Sequence, residues 1–349
     1  MLTFNNFEQN LKKSCQLNQY SLALPESKDK RVLEAIIYLV ENKCVKKILV
    51  FQKKFEFYEN IKGLLYDKEK LEKHLVFVPD IEKDIDKKLF NFLIESLKNK
   101  KRSIKTDHIE NLSQSPLYQA GYLLKRGEVD AALAGAVYYT KEVIHAALKT
   151  VGLYPGIKTI SGAFLMLKEP KIKKPENTNN IAFLFADCGV VIEPTSEQIV
   201  DIAFETVKTW NFLNISNDKP RVAFLSFSTR GSADHPRVDK IREASDLFQK
   251  RYPNILAEGE LQLDAAIDSS IASKKNPDGN IKGKANILIF PNLESGNIAY
   301  KITQRLGGYQ AFGPILQGLS KPYSDLSRGA STKDIIISSF ISMQRAQIK

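Results

Sequence analysis

The residues best suited to chemistry lie near the C-terminus, where Gly313-Pro314-Ile315-Leu316-Gln317-Gly318-Leu319 and Lys321-Pro322 lead into Asp325-Leu326-Ser327-Arg328-Gly329-Ala330-Ser331-Thr332-Lys333-Asp334. After Asp334 the apolar residues Ile336, Ile337, Phe340, Ile341 and Met343 recur at helical spacing, so this loop ends at a helix N-terminus. Unpaired backbone N–H groups and the positive end of the helix dipole favour an anion there. Gly329 allows close backbone approach, and Arg328 can add a bidentate guanidinium. Phosphate suits such a place. The same residues also fit a capping box, in which Ser331 and Asp334 only satisfy backbone donors. A second stretch has similar chemistry: an apolar run from Val222 to Phe227 enters Ser228-Thr229-Arg230-Gly231-Ser232, and a charged helix follows from Val238 to Gln249. Arg is scarce beside Lys in this chain, so two Arg-Gly loops suggest two anionic groups to hold.

The elements that must position these loops are legible as alternating runs. Tyr20 to Leu24, Lys47 to Phe51, Leu75 to Val78, Ala131 to Ala134, Ile181 to Phe185, Val222 to Phe227 and Ile287 to Phe290 read as strands, each followed by helical periodicity. That order predicts βαβ units and an α/β fold with mainly parallel sheets. The pattern pauses at Leu153-Tyr154-Pro155-Gly156, where a domain crossing is expected, and residues 168 to 180 read as a surface loop or hairpin. Other constellations are weaker. No G-x-G-x-x-G or G-x-x-x-x-G-K-[ST] loop is present, and His74, His108, His145 and His235 lack metal-ligand spacing. Glu260, Asp264 and Asp268 are spaced for one face of a helix and can be read as a Mg²⁺ site or as a solvated acidic face, the second being favoured. Cys188 follows Asp187 without a neighbouring His and reads as a packing residue.

A chain of 349 residues, 43% hydrophobic and 26% charged, has the composition of a soluble protein with two domains. Its net charge of +11 comes mostly from Lys interleaved with acids, the pattern of solvated helices, so no nucleic-acid partner is expected. Three scattered cysteines, Cys15, Cys44 and Cys188, give neither a disulfide framework nor a zinc site. With no signal-peptide pattern and no apolar run near the length of a membrane span, a cytoplasmic protein with no membrane partner is expected.

Taken in order, several blocks resemble those of the phosphate acetyl/butyryltransferase family. They are Leu24-Pro25-Glu26 with Asp29 and Arg31, Gly127-Glu128-Val129-Asp130 with Ala134-Gly135-Ala136, Asp187-Cys188-Gly189, and Pro194-Thr195-Ser196-Glu197-Gln198. Then come Leu225 to Ser232, Gly259 to Ala266, Phe290 to Lys301, and Gly313 to Asp334. The resemblance implies a two-domain fold similar to the isocitrate and isopropylmalate dehydrogenases, with an active site in the cleft and a homodimer through the second domain. It divides the chain into a first domain of 1–154 and 315–349 and a second of 155–314. It implies reversible acetyl transfer between acetyl phosphate and coenzyme A, by direct thiolate attack and with phosphate as the other product. No permanently bound cofactor or metal is implied. The family's catalytic residues fall on Ser327, Arg328 and Asp334, with Asp334 as the base for the thiol. The substrate-binding positions implied for phosphate or coenzyme A are Ser228, Thr229, Arg230, Gly231, Ser232, Asn297, Lys301, Gly329, Lys98 and His145. Three positions depart from the family: Lys98 and His145 stand where it usually has arginines, and Ala330 where it usually has Cys. An imidazole facing phosphate would have its pKa raised by the anion, so the Michaelis constant of that substrate is expected to climb between roughly pH 6 and 8. The alternatives are an acyltransferase for longer acyl phosphates such as butyryl, and a non-catalytic coenzyme A or acetyl-CoA sensing module.

Overall fold

The computed structural model describes residues 4–81, 84–98, 106–168, 182–213 and 218–347. Most of the expected loop or hairpin at 168–180 lies outside them. Eleven strands are present among the described residues: β1 Ser21–Leu24, β2 Lys47–Val50, β3 Leu75–Phe77, β4 Ala131–Ala134, β5 Ser161–Leu167, β6 Ala182–Ala186, β7 Arg221–Leu225, β8 Leu256–Leu261, β9 Ile287–Ile289, β10 Gln310–Gln317 and β11 Tyr323–Asp325. They build two compact units. One comprises Glu8–Tyr154 with Leu319–Lys349, and the other Pro155–Gly318 with Met1–Phe7.

The first unit holds a five-stranded sheet of order β11-β4-β1-β2-β3, parallel throughout. Strands covered on both faces read as continuous apolar runs, and Ser21–Leu24 and Ala131–Ala134 are buried at every residue. The helix Lys30–Glu41 packs against the helix Thr332–Gln344. Ile335, Ile336, Ile337, Phe340, Ile341 and Met343 of that terminal helix are all buried, so it is enclosed on most sides and not merely along one stripe.

The second unit holds a six-stranded sheet of order β10-β5-β6-β9-β7-β8, in which β5 runs antiparallel to both β10 and β6 and the other pairs are parallel. Its core gathers Phe164, Phe183, Phe185 and Phe290, with Tyr300 stacked on Phe164 at 3.9 Å between ring centroids. Strand β10 belongs to this sheet along its whole length, so residues 315–318 lie here and not in the unit to which the sequence reading assigned them. Residues 260–268 also differ from expectation: Glu260 is on β8, Asp264 is in the short helix Leu263–Ile267, and Asp268 is the cap of the helix Ser269–Lys275. The three carboxylates therefore share no helix face. Glu260 pairs with Arg242, Asp264 pairs with Lys275, and Asp268 accepts the N–H groups of Ser270 and Ile271.

Candidate active site

In a parallel sheet the loops at the C-terminal strand ends all leave from one edge, and ligands are bound there. In the first unit the adjacent strands β1, β4 and β11 deliver three such turns. Glu26, just after β1, is buried, and its carboxylate accepts the N–H groups of Ala136, Val137 and Tyr138, each at 2.8 Å. The turn after β4 is thereby fixed. Without that acceptor three backbone donors would compete for water at a mostly covered site. Glu26→Ala is expected to destabilise the protein by about 1–3 kcal/mol in urea unfolding. An unchanged unfolding midpoint would show that water replaces the carboxylate at no cost.

Arg31 ties all three turns together. Two of its nitrogens donate to both oxygens of Asp29, at 3.0 and 2.8 Å. The same guanidinium reaches the backbone carbonyls of Ala136, Arg328 and Ala330, each at 2.8 Å. Its hydrogen bond to Asp29 holds that carboxyl below its usual range and raises the arginine further. A fork with five donors suits such a junction, which Lys could not complete.

Held in this way, the turn of residues 326–331 projects Ser327, Arg328 and Gly329 into solvent. Arg328 lies over the Tyr139 ring, with its guanidinium carbon 4.1 Å from the centroid, and pairs with no acid among the described residues. Ser327 Oγ accepts the Gly329 N–H at 3.3 Å. Asp334 closes a capping box: its Oδ2 accepts from Ser331 N and from Ser331 Oγ, both at 2.8 Å, and its own N–H donates to Ser331 Oγ at 3.2 Å. Both bonds to the carboxylate fall on Oδ2, which leaves Oδ1 uncommitted by the cap.

The two arginine-replacing positions lie apart from these contacts. Lys98 ends the helix Ile85–Lys98 and is exposed. His145, in the helix Thr140–Thr150, is bonded through Nδ1 to the hydroxyl of the buried Tyr118. Desolvation, aided by the charges of Lys149 and His108, lowers its pKa from 6.5. That is the state of the ring before any anion binds, and an anion beside it would act in the opposite direction. In the protein by itself the ring loses its proton at a lower pH, so its charge fades before neutrality. An NMR titration of the unliganded protein should place the His145 midpoint below about 6.5. A midpoint above that value would contradict the desolvated surroundings of the ring.

In the second unit, the loop after β7 is fastened from within. Glu260, buried on β8, accepts from Ser228 Oγ at 3.0 Å and Gly231 N at 2.8 Å, while Arg242 grips it at 3.0 and 3.2 Å. Burial, the largest single influence, pushes the Glu260 pKa up. Arg242, the Gly231 N–H and Ser228 together outweigh it and leave the group low. Arg230 donates to Glu258 at 2.9 Å and to Asn276 at 3.3 Å. Ser232 Oγ accepts the Thr229 N–H, and Thr229 Oγ1 accepts that of Gln262. Several donors expected to face an anion thus already have protein partners. Asn297 donates to the Cys188 carbonyl at 3.1 Å and accepts from Lys301 at 2.7 Å. Nearby, Asp187 accepts four N–H groups, from Gly162, Gly189, Val190 and Val191, and so fixes the turn of the Asp187-Cys188-Gly189 block.

The structural side of the site therefore consists of an exposed Ser327-Arg328-Gly329 turn, the stacked Tyr139, and Asp334 at the first turn of the helix that follows. Sequence reasoning named Ser327, Arg328 and Asp334 but gave Tyr139 no part and Glu26 and Arg31 no roles. Comparison with known proteins adds their kinship. Residues 6–343 match the family described as "Phosphate acetyl/butaryl transferase". A phosphate acetyltransferase of Acetivibrio thermocellus is 36% identical over 328 residues, covering 94% of each chain, and one of Clostridium acetobutylicum is 42% identical over 248 residues, covering 71% of this chain and 73% of the relative. A solved phosphotransacetylase of Streptococcus pyogenes superposes with a TM-score of 0.88 at 32% identity, over all of both chains. With the match spanning nearly every residue and including both Arg-Gly loops, this chain belongs to the phosphate acetyl/butyryltransferase family.

Proposed function

We propose that the protein is an acyltransferase that moves an acetyl group reversibly between acetyl phosphate and coenzyme A. The observation that carries this reading is the Ser327-Arg328-Gly329 turn, exposed at a helix N-terminus with an unpaired guanidinium, in a chain of this family. A coenzyme A thiol with a cysteine-like pKa near ~8.5 is mostly protonated at neutral pH, and Asp334 Oδ1 is the base that takes its proton. The thiolate attacks the acetyl carbon, the carbonyl electrons pass to oxygen and return, and the C–O bond to phosphate breaks. Arg328, Ser327 and the N–H groups beside Gly329 stabilise the oxyanion and the leaving phosphate. Coenzyme A is a substrate, and no resident cofactor or metal takes part.

An enzyme cysteine is not needed, and the three present are poorly suited to serve. All are buried; desolvation pushes Cys44 to about 11 and raises Cys15 and Cys188 as well. Phosphate and coenzyme A contacts are assigned to Gly329, Lys98 and His145 in the first unit and to Ser228–Ser232, Asn297 and Lys301 in the second. Binding through Arg230 or Ser228 then requires exchange of the bonds these groups now make. A homodimer through the second unit is supported by Ile298 and Ile302 of the helix Leu293–Arg305 and Leu306 at its C-cap, which are 56%, 52% and 84% exposed and follow one another at intervals of about one helical turn. A cytoplasmic setting agrees with three unpaired cysteines and with described helices none of which is long and apolar enough to cross a membrane.

The test is thioester absorbance on mixing purified protein with acetyl phosphate and coenzyme A, without nucleotide or metal. Turnover with acetyl phosphate above that with butyryl phosphate is expected. A preference for butyryl would indicate a longer-chain transferase, and coenzyme A binding without turnover would indicate a sensing module.

A further inference from the structure

One side chain beside the three turns has no part in the contacts described so far. Asp325, the last residue of β11, is 1% exposed, and neither carboxyl oxygen has a hydrogen-bond partner. It lies in register with Ala134 of β4, so its carboxyl comes up against Gly135, where the turn held by Glu26 begins. A Cβ at Gly135 would stand 2.3 Å from Asp325 Oδ1 and 2.6 Å from Leu326 N, and Gly135 has φ +106°, so glycine is required twice over. The titratable groups that face Asp325 are Glu26, from the β1 side, and Tyr323 on its own strand. The Thr140 hydroxyl and the Leu326 N–H lie nearby without meeting bonding geometry. No cation pairs with it among the described residues. A charged carboxylate in such a place is costly, whereas the neutral acid is tolerated. Burial, reinforced by the charge of Glu26 and opposed by Thr140 and Leu326, pushes the Asp325 pKa up to about 7.

We propose that Asp325 is a positioning residue for acyl transfer: as a neutral acid it wedges between the turn of residues 135–139 and that of residues 326–331, fixing Arg328 on Tyr139, and as a carboxylate it loosens both. The inference rests on the assignment of Arg328 to the transfer reaction. Its pH dependence has a definite sign. The folded protein keeps a proton that the unfolded chain gives up above about pH 4, so this group costs stability increasingly as pH rises to about 7, and the cost is complete beyond that.

Asp325→Asn keeps the shape of the neutral acid and cannot ionise. The melting temperature of the variant relative to wild type should therefore rise between pH 4 and 8. Its kcat/KM relative to wild type should climb about tenfold between pH 6 and 8, the change in neutral fraction for a group titrating near 7. Asp325→Ala, which empties the space against Gly135, should lower kcat without restoring that shape, and it serves for the same pH comparison if the Asn variant does not fold. Parallel activity profiles would overturn the proposal even if the melting temperatures diverge, since Asp325 would then be structural only. A wild-type protein that forms no acetyl-CoA would overturn the functional reading first and this inference with it, whereas an active wild type with parallel profiles would overturn this inference alone.

Discussion

Asp334→Asn is expected to lower kcat by about 10²- to 10⁴-fold while leaving the fold intact. The reasoning turns on the two oxygens of one carboxylate. Oδ2 is occupied by the capping box with Ser331, and a side-chain amide can still offer its oxygen to the Ser331 N–H. Nothing in Asn can replace a base on the remaining position. Thermal unfolding of the variant should accordingly lie close to wild type, with the whole effect in turnover. Loss of melting temperature with turnover intact would make Asp334 a cap and nothing else. The capping role and the catalytic role are thus separable in a single substitution, although the sequence offered them as alternatives.

The second large effect is expected at Arg328. Substitution by Lys keeps a positive charge but loses the planar fork and the stacking on Tyr139, and kcat/KM should fall by about 2–4 kcal/mol of transition-state stabilisation. Placement of the guanidinium depends on its own backbone, whose carbonyl is held by Arg31, so a lysine there would sit on the same turn with a different reach. The loss should appear in kcat more than in KM, because charge on the departing phosphate and the oxyanion is greatest in the transition state. An unchanged kcat/KM would remove Arg328 from the reaction.

Much of this arrangement is written locally in the chain. Ala131–Ala134 and residues 48–50 of β2 appear as uninterrupted apolar runs because both faces of a parallel strand are covered, and the Ser327-Arg328-Gly329 loop announces itself by composition. Ordered blocks across the chain carry the family. Elements whose sequence conceals their environment were harder to read. Strand β10 contains Gly313 and Pro314, residues that usually speak against a strand, and its ladder shifts register between Phe312 and Ile315. Strand β8 contains Glu258 and Glu260, and the spacing of Glu260 to Asp264 and Asp268 looks like a wet helix face. Glu258 and Glu260 are buried because Arg230 and Arg242, distant in sequence, arrive to pair with them. Partnerships of this kind have no period. The same holds for Glu26 under residues 136–138, for Arg31 reaching residues 328 and 330, and for the Tyr118 hydroxyl on His145. Side-chain chemistry could be listed from the sequence. Which group each side chain would meet could not.

The central claim is that coenzyme A thiolate attacks acetyl phosphate directly, with no acyl group passing through the enzyme. Its most direct test is isotope exchange: labelled inorganic phosphate is incubated with acetyl phosphate and the protein, with and without coenzyme A. Direct transfer predicts label in acetyl phosphate only when coenzyme A is present, because the acetyl group can leave phosphate only for the thiol. Exchange at a comparable rate without coenzyme A would mean that a side chain of the protein accepts the acetyl group, and would contradict the account.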